Sequence, residues 1–123
     1  LSMKIALSLA DRIVTPVPPS QADIWSTQRF IKIIRELSGS AKKMPPILGF
    51  INRADTHIGV RETDEAEEAL EYLNNITRID LRLYQRTAYR RSFSEGLAVF
   101  EMQPTSKASK EILALANILF NEN

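Results

Sequence analysis

Asn52 ends the apolar run that begins at Ile47, and Arg53 and Asp55 open a polar stretch directly after it. In an α/β chain that junction is the carboxyl end of a strand, the edge at which open sheets bind ligands. A carboxamide donates and accepts hydrogen bonds at once, which matches the edge of an adenine. The same side chain also satisfies backbone groups in ordinary turns, so both uses stay open. Tyr84, Gln85 and Arg86 follow a later alternating run at the same predicted edge, where they either close over a base or form a plain strand-to-helix loop.

A second constellation is cationic. Arg78, Arg82, Arg86, Arg90 and Arg91 fall in one window whose only acid is Asp80, and Lys107 and Lys110 begin the last predicted helix. Converged, they would hold phosphates without reading sequence; unconverged, they are a solvated charged face. Other chemistries are excluded by composition. The 123 residues contain no Cys and one His, which removes thiolate chemistry, disulfides and an imidazole-rich metal site. A phosphate-binding loop needs clustered glycines followed by Lys and Ser or Thr. Gly39, Gly49, Gly59 and Gly96 are isolated, so these residues alone should not hydrolyse nucleotide. His57 reads as a loop residue, and the acids from Glu62 to Glu68 as a solvated helix start.

The elements that must position these groups alternate. Residues 3–10 read as a turn or two of helix, and 12–17 as a strand stopped by Pro16, Pro18 and Pro19. Ser20 or Asp23 then caps a helix over 22–37, in which Phe30, Ile33, Ile34 and Leu37 repeat at helical spacing and which Gly39 ends. After a polar stretch through Lys43 and the Pro45-Pro46 pair, 47–52 fits a strand buried on both faces.

Ala66, Ala69, Leu70 and Leu73 mark a helix ending near Asn74-Asn75. Ile79, Leu81 and Leu83 alternate with Arg78, Asp80 and Arg82 as in a half-exposed strand near a sheet edge. A short helix over 87–95 stops at Gly96, and a last one opens at Thr105 or Ser106 with Ile112, Leu115, Ala116 and Leu119 on its apolar face. The alternation predicts a parallel α/β sheet. Charge nearly cancels, at 16 Lys plus Arg against 15 Asp plus Glu, and names no partner. No apolar run approaches the roughly 20 residues of a membrane helix, so no membrane span is expected and the protein reads as cytoplasmic.

Two stretches and the segment between them carry a resemblance. Ala6 to Asp23, Ala-Leu-Ser-Leu-Ala-Asp-Arg-Ile-Val-Thr-Pro-Val-Pro-Pro-Ser-Gln-Ala-Asp, resembles the segment of ParA/MinD-type partition ATPases in which Ala-Asp opens a strand closed by Pro-x-x-Pro-Ser and a downstream Asp. Gln85 to Lys107, with Gln-Arg-Thr-Ala-Tyr, Glu-Gly-Leu-Ala-Val-Phe-Glu, Pro104, Ser106 and Lys107, is similar to the family's late helix, Gly-x-x-Val turn and final helix. Phe50-Ile-Asn-Arg-Ala-Asp55 resembles its strand-end Asn-Arg. The three lie in the family's order, over its C-terminal half. Relatives often carry Pro near Tyr84, which this sequence lacks.

The resemblance implies a P-loop NTPase-like, Rossmann-like three-layer α/β fold, of which this is the C-terminal half. A phosphate-binding half with the variant Walker A loop and a Mg²⁺-supporting Asp would lie upstream. It implies ATP and Mg²⁺ as cofactors of the intact parent, with Asn52, Arg53, Tyr84, Gln85 and Arg86 on the adenine side. Non-specific DNA would meet Arg86, Arg90, Arg91, Lys107 and Lys110. A nucleotide-dependent dimer would use Pro19, Asp23 and Trp25, although a Trp at helical spacing is more often core. The implied activity is plasmid or chromosome partition by a nucleoid-associated homodimer, stimulated by a ParB-like partner. Severed from its other half, the chain is expected to self-associate. The competing reading is a stand-alone α/β interaction or DNA-binding module without nucleotide chemistry.

Overall fold

Three short apolar runs, each separated from the next by a helix, can lie side by side only if each helix carries the chain back across the sheet, and that return makes the strands parallel. The computed structural model describes residues 2–39, 44–57 and 61–120. Most of the polar stretch ending at Lys43, and Gly59, lie outside them. The order is α1 (Ser2–Leu9), β1 (Ile13–Val17), α2 (Gln21–Ser38), β2 (Ile47–Ala54), α3 (Glu62–Glu71), β3 (Thr77–Tyr84), α4 (Thr87–Glu95), α5 (Val99–Met102) and α6 (Lys107–Phe120). The strands form a parallel sheet in the order β1-β2-β3.

Helices cover both faces. On one, Ile24, Ile31 and Ile34 of α2 and Ala66 and Leu70 of α3 pack against Val17, Ile47, Ile51 and Ala54. On the other, Ile112, Leu115 and Leu119 of α6 pack against Phe50, Ile79 and Leu83. Central β2 is therefore buried on both sides, as its unbroken apolar run predicts, and β3 lies at an edge, as its alternation predicts. β1 is the opposite edge. Ile13 N–H donates to the Pro46 carbonyl at 2.8 Å. Alternation then turns the backbone of Val14 and Pro16 outward, where Pro16 offers no N–H to a further strand.

Local chemistry sets the helix limits. Ser20 caps α2 by accepting from Asp23 N–H at 3.1 Å, and Gly39 ends it at φ 68°. Gly96, also at φ 68°, closes α4: its N–H bonds the Phe93 carbonyl and Leu97 N–H the Ser92 carbonyl, the paired bonds of a Schellman turn. Ser106, one of the two expected openings, caps α6 by accepting from Ser109 N–H at 3.2 Å, and Lys107 is the first helical residue.

Other expectations are corrected. α3 stops at Glu71, short of Asn74-Asn75, where Asn75 takes up φ 68° in the turn to β3. α5 was not expected; four residues are too few to show a period, and Glu101 holds its start by accepting from Ala98 N–H. Trp25 is not core. Ile24, Thr27, Ile31 and Ile34 take the buried face of α2, and Trp25, about 100° round the helix from Ile24, is 57% exposed.

Candidate functional site

All three strands end at one edge, because all three are parallel. That edge gathers the Pro18–Ser20 turn, residues 52–55 and residues 84–86. β2 runs further than its apolar residues do. Asn52 and Arg53 are strand residues rather than the start of a loop, since the ladder to β3 continues to Ala54 opposite Tyr84. Between the pairs Ile51–Arg82 and Ala54–Tyr84, β2 spends one residue more than β3, a bulge, with Arg53 at φ 59°. A non-glycine residue in that region costs about 1 kcal/mol or more, and such positions concentrate at functional sites.

The bulge is held by partners. Arg53 Nε donates to Gln85 Oε1 at 3.1 Å, and Gln85 N–H donates to the Ala54 carbonyl at 2.9 Å. Asp55 is fixed to α3 through Thr63, whose buried hydroxyl donates to Asp55 Oδ2 and accepts from Asp55 N–H, each at 3.2 Å. The two segments singled out in sequence thus meet, with Asn52 half-buried beside them.

Glu111 of α6 ties down the other side of residues 84–86. Its Oε1 accepts from Tyr84 N–H at 3.1 Å and from the Tyr89 hydroxyl at 2.7 Å; its Oε2 accepts from Arg86 Nε at 2.8 Å, with Nη2 at 2.7 Å. The Arg86 guanidinium also lies over the Tyr84 ring, 5.2 Å from its centre. Burial, then the bond to the Glu111 carboxylate and its charge, push the Tyr89 hydroxyl above the ordinary tyrosine range. Nothing in the sequence marks Glu111: it stands outside both motifs and meets them only through the packing of α6 on β3.

The arginine window does not converge. Arg78 and Arg82 project from β3 onto α3, where Arg82 bonds Glu67 at 2.9 Å and Asp64 at 2.8 Å, and Arg78 reaches Glu71 at 3.4 Å. The bond to Glu67 leads in holding the Arg82 guanidinium above its ordinary range. The acids of α3 are therefore not merely a solvated helix start. With Arg86 on Glu111, the members of that constellation with no ion pair to a described residue are Arg90, Arg91, Lys107 and Lys110, all four exposed. The Tyr89 hydroxyl lies 3.2 Å from the Ala108 carbonyl and sets the α4 turn bearing Arg90 and Arg91 beside the α6 turn bearing Lys107 and Lys110. A shallow hollow is lined by Arg90, Arg91, Ser94 and Glu95.

At the β1 end, Pro19 is half-buried, Asp23 accepts from the Ser20 hydroxyl at 2.5 Å, and Trp25 faces outward. His57 is exposed just past β2. No group of three or more His, Asp or Glu among the described residues could hold a metal ion, and no helix there is long and apolar enough to cross a membrane. No protein-family model matches the chain, and no curated protein does.

Proposed function

We propose that this chain is the adenine-side, C-terminal portion of a ParA-family ATPase acting in plasmid or chromosome partition. One observation carries the reading: Asn52-Arg53 and Gln85-Arg86, distant in sequence and each part of the family resemblance, meet with Tyr84 at the carboxyl edge of a parallel sheet, joined by the Arg53–Gln85 bond of 3.1 Å. That edge is where open α/β sheets take nucleotides. Asn52 supplies a donor and an acceptor to the base edge, and Gln85 borders it.

The P-loop NTPase-like fold, the triphosphate contacts and Mg²⁺ belong to the intact parent, because these 123 residues hold no phosphate-binding loop. In that parent, Pro19, Asp23 and the outward-facing Trp25 contribute a nucleotide-dependent dimer surface. Arg90, Arg91, Lys107 and Lys110 supply non-specific DNA contacts on the nucleoid, and a ParB-like partner stimulates hydrolysis.

The chain by itself binds adenine weakly and turns over no ATP, since phosphate and metal contacts dominate such sites. The test is an NMR titration of the isotope-labelled 123-residue chain with adenosine monophosphate. Amide shifts should be confined to the neighbourhood of Asn52, Arg53 and Gln85, be smaller with guanosine monophosphate, and vanish in Asn52→Ala. Equal responses to both nucleotides, or none, refute the adenine reading. Arg90, Arg91, Lys107 and Lys110, unpaired on α4 and α6, favour a second reading, a DNA-binding α/β module without nucleotide chemistry, which predicts DNA binding and no adenine response.

A further inference from the structure

We propose that Glu111 is a positioning residue that sets the base selectivity of the carboxyl-edge site; the inference rests on the adenine reading above. Among the described residues β3 is an edge strand, so N–H groups on its outer side meet no strand there. Gln85 N–H turns inward to the Ala54 carbonyl at 2.9 Å, and Tyr84 N–H, one residue earlier, turns the other way. There Glu111 accepts it at 3.1 Å. A side chain from α6 thus does at this point what a fourth strand would do.

The same carboxylate takes Arg86 at 2.7 and 2.8 Å and the Tyr89 hydroxyl at 2.7 Å. Its side chain is only 13% exposed, so a negative charge there depends on these donors. Residues 84 and 86 are held from the α6 side, while Gln85 between them is held by β2 through Arg53 and Ala54. The placement of Gln85 relative to Asn52 is therefore fixed from both directions. Discrimination between bases depends on donors and acceptors standing at set positions, because a wrong base then leaves polar groups unpaired. Releasing Glu111 frees the residues on either side of Gln85 while leaving its bonds to Arg53 and Ala54, Asn52 and the apolar core in place.

Glu111→Gln keeps the shape but removes the charge and turns one acceptor into a donor facing Arg86 or Tyr89. In the same titration of the 123-residue chain, the variant should bind adenosine monophosphate about tenfold more weakly, the worth of one charge-assisted hydrogen bond. Its preference over guanosine monophosphate should fall to near unity. Tyr89→Phe, which removes one donor and leaves the strand end tied, should give a smaller loss and stands in should Glu111→Gln not fold. A dispersed amide spectrum and a cooperative melting transition establish that each variant is folded. A folded variant with the wild-type base preference overturns the inference and makes Glu111 a structural tie alone. Absence of any adenine-specific response in the wild-type chain instead removes the adenine reading, and this inference with it.

Discussion

Replacing Arg90, Arg91, Lys107 and Lys110 together with Ala removes four exposed, unpaired cations on α4 and α6, two helices joined through Tyr89, and duplex DNA binding should register the loss as a change in salt dependence. Each phosphate contact releases condensed counterions worth about 0.9 in the slope of log affinity against log salt, so four contacts account for about 3.6. The other cations of the window contribute little, because Arg78 and Arg82 are paired with Asp64, Glu67 and Glu71, and Arg86 with Glu111.

The assay is fluorescence anisotropy of a labelled duplex over a range of salt concentrations, run on wild type, the quadruple variant and Lys32→Ala with Arg35→Ala. Lys32 and Arg35 are exposed on α2, which covers the opposite face of the sheet from α6. Affinity should fall alike for duplexes of different sequence, because phosphate contacts carry no base information. The reasoning is refuted if the quadruple variant keeps the wild-type slope, or if the α2 pair lowers the slope as much.

Gly49→Ala should destabilise the fold by about 1–2 kcal/mol through overpacking, because the added Cβ would stand 2.7 Å from Ile76 Cδ1 and 3.3 Å from Ile76 Cγ1. Ile76→Val deletes the nearer of those atoms, so urea denaturation of the double variant should recover about 1 kcal/mol relative to the sum of the singles, and additivity within about 0.5 kcal/mol would show that no such clash exists. Tyr89, raised by burial and by Glu111, contributes stability that is complete below the ordinary tyrosine pKa of about 10 and is lost as pH climbs through its folded value. The stability advantage of wild type over Tyr89→Phe should shrink above about pH 10. Phenolate absorbance showing Tyr89 ionised at that pH in a folded chain would count against its bond to the carboxylate.

Much of the framework was legible because it follows from local rules. The helical extent of α2, the apolar period of α6, the stop signals at Gly39 and Gly96, the Ser20 cap and the burial of Ile47 to Ile51 depend on residues within a turn or two of one another, whereas the buried face of α2 is Ile24, Thr27, Ile31 and Ile34, and Ile33, expected on it, is 45% exposed. A parallel order followed from the helices between the strands, and it sends Asn52 and Gln85 to one edge. What no local rule contains is a partner across the fold. The arginine window contained one acid along the chain, yet α3 packs over β3 and places Glu67 beside Arg82. Glu111 meets Tyr84, Arg86 and Tyr89 only because α6 lies along the far face of the same strand. Trp25 faces outward because the phase of α2 was already taken by Ile24, Ile31 and Ile34. Charge pairing and side-chain exposure depend on distances through space, and those are set when the layers pack, after the period of each element has been decided.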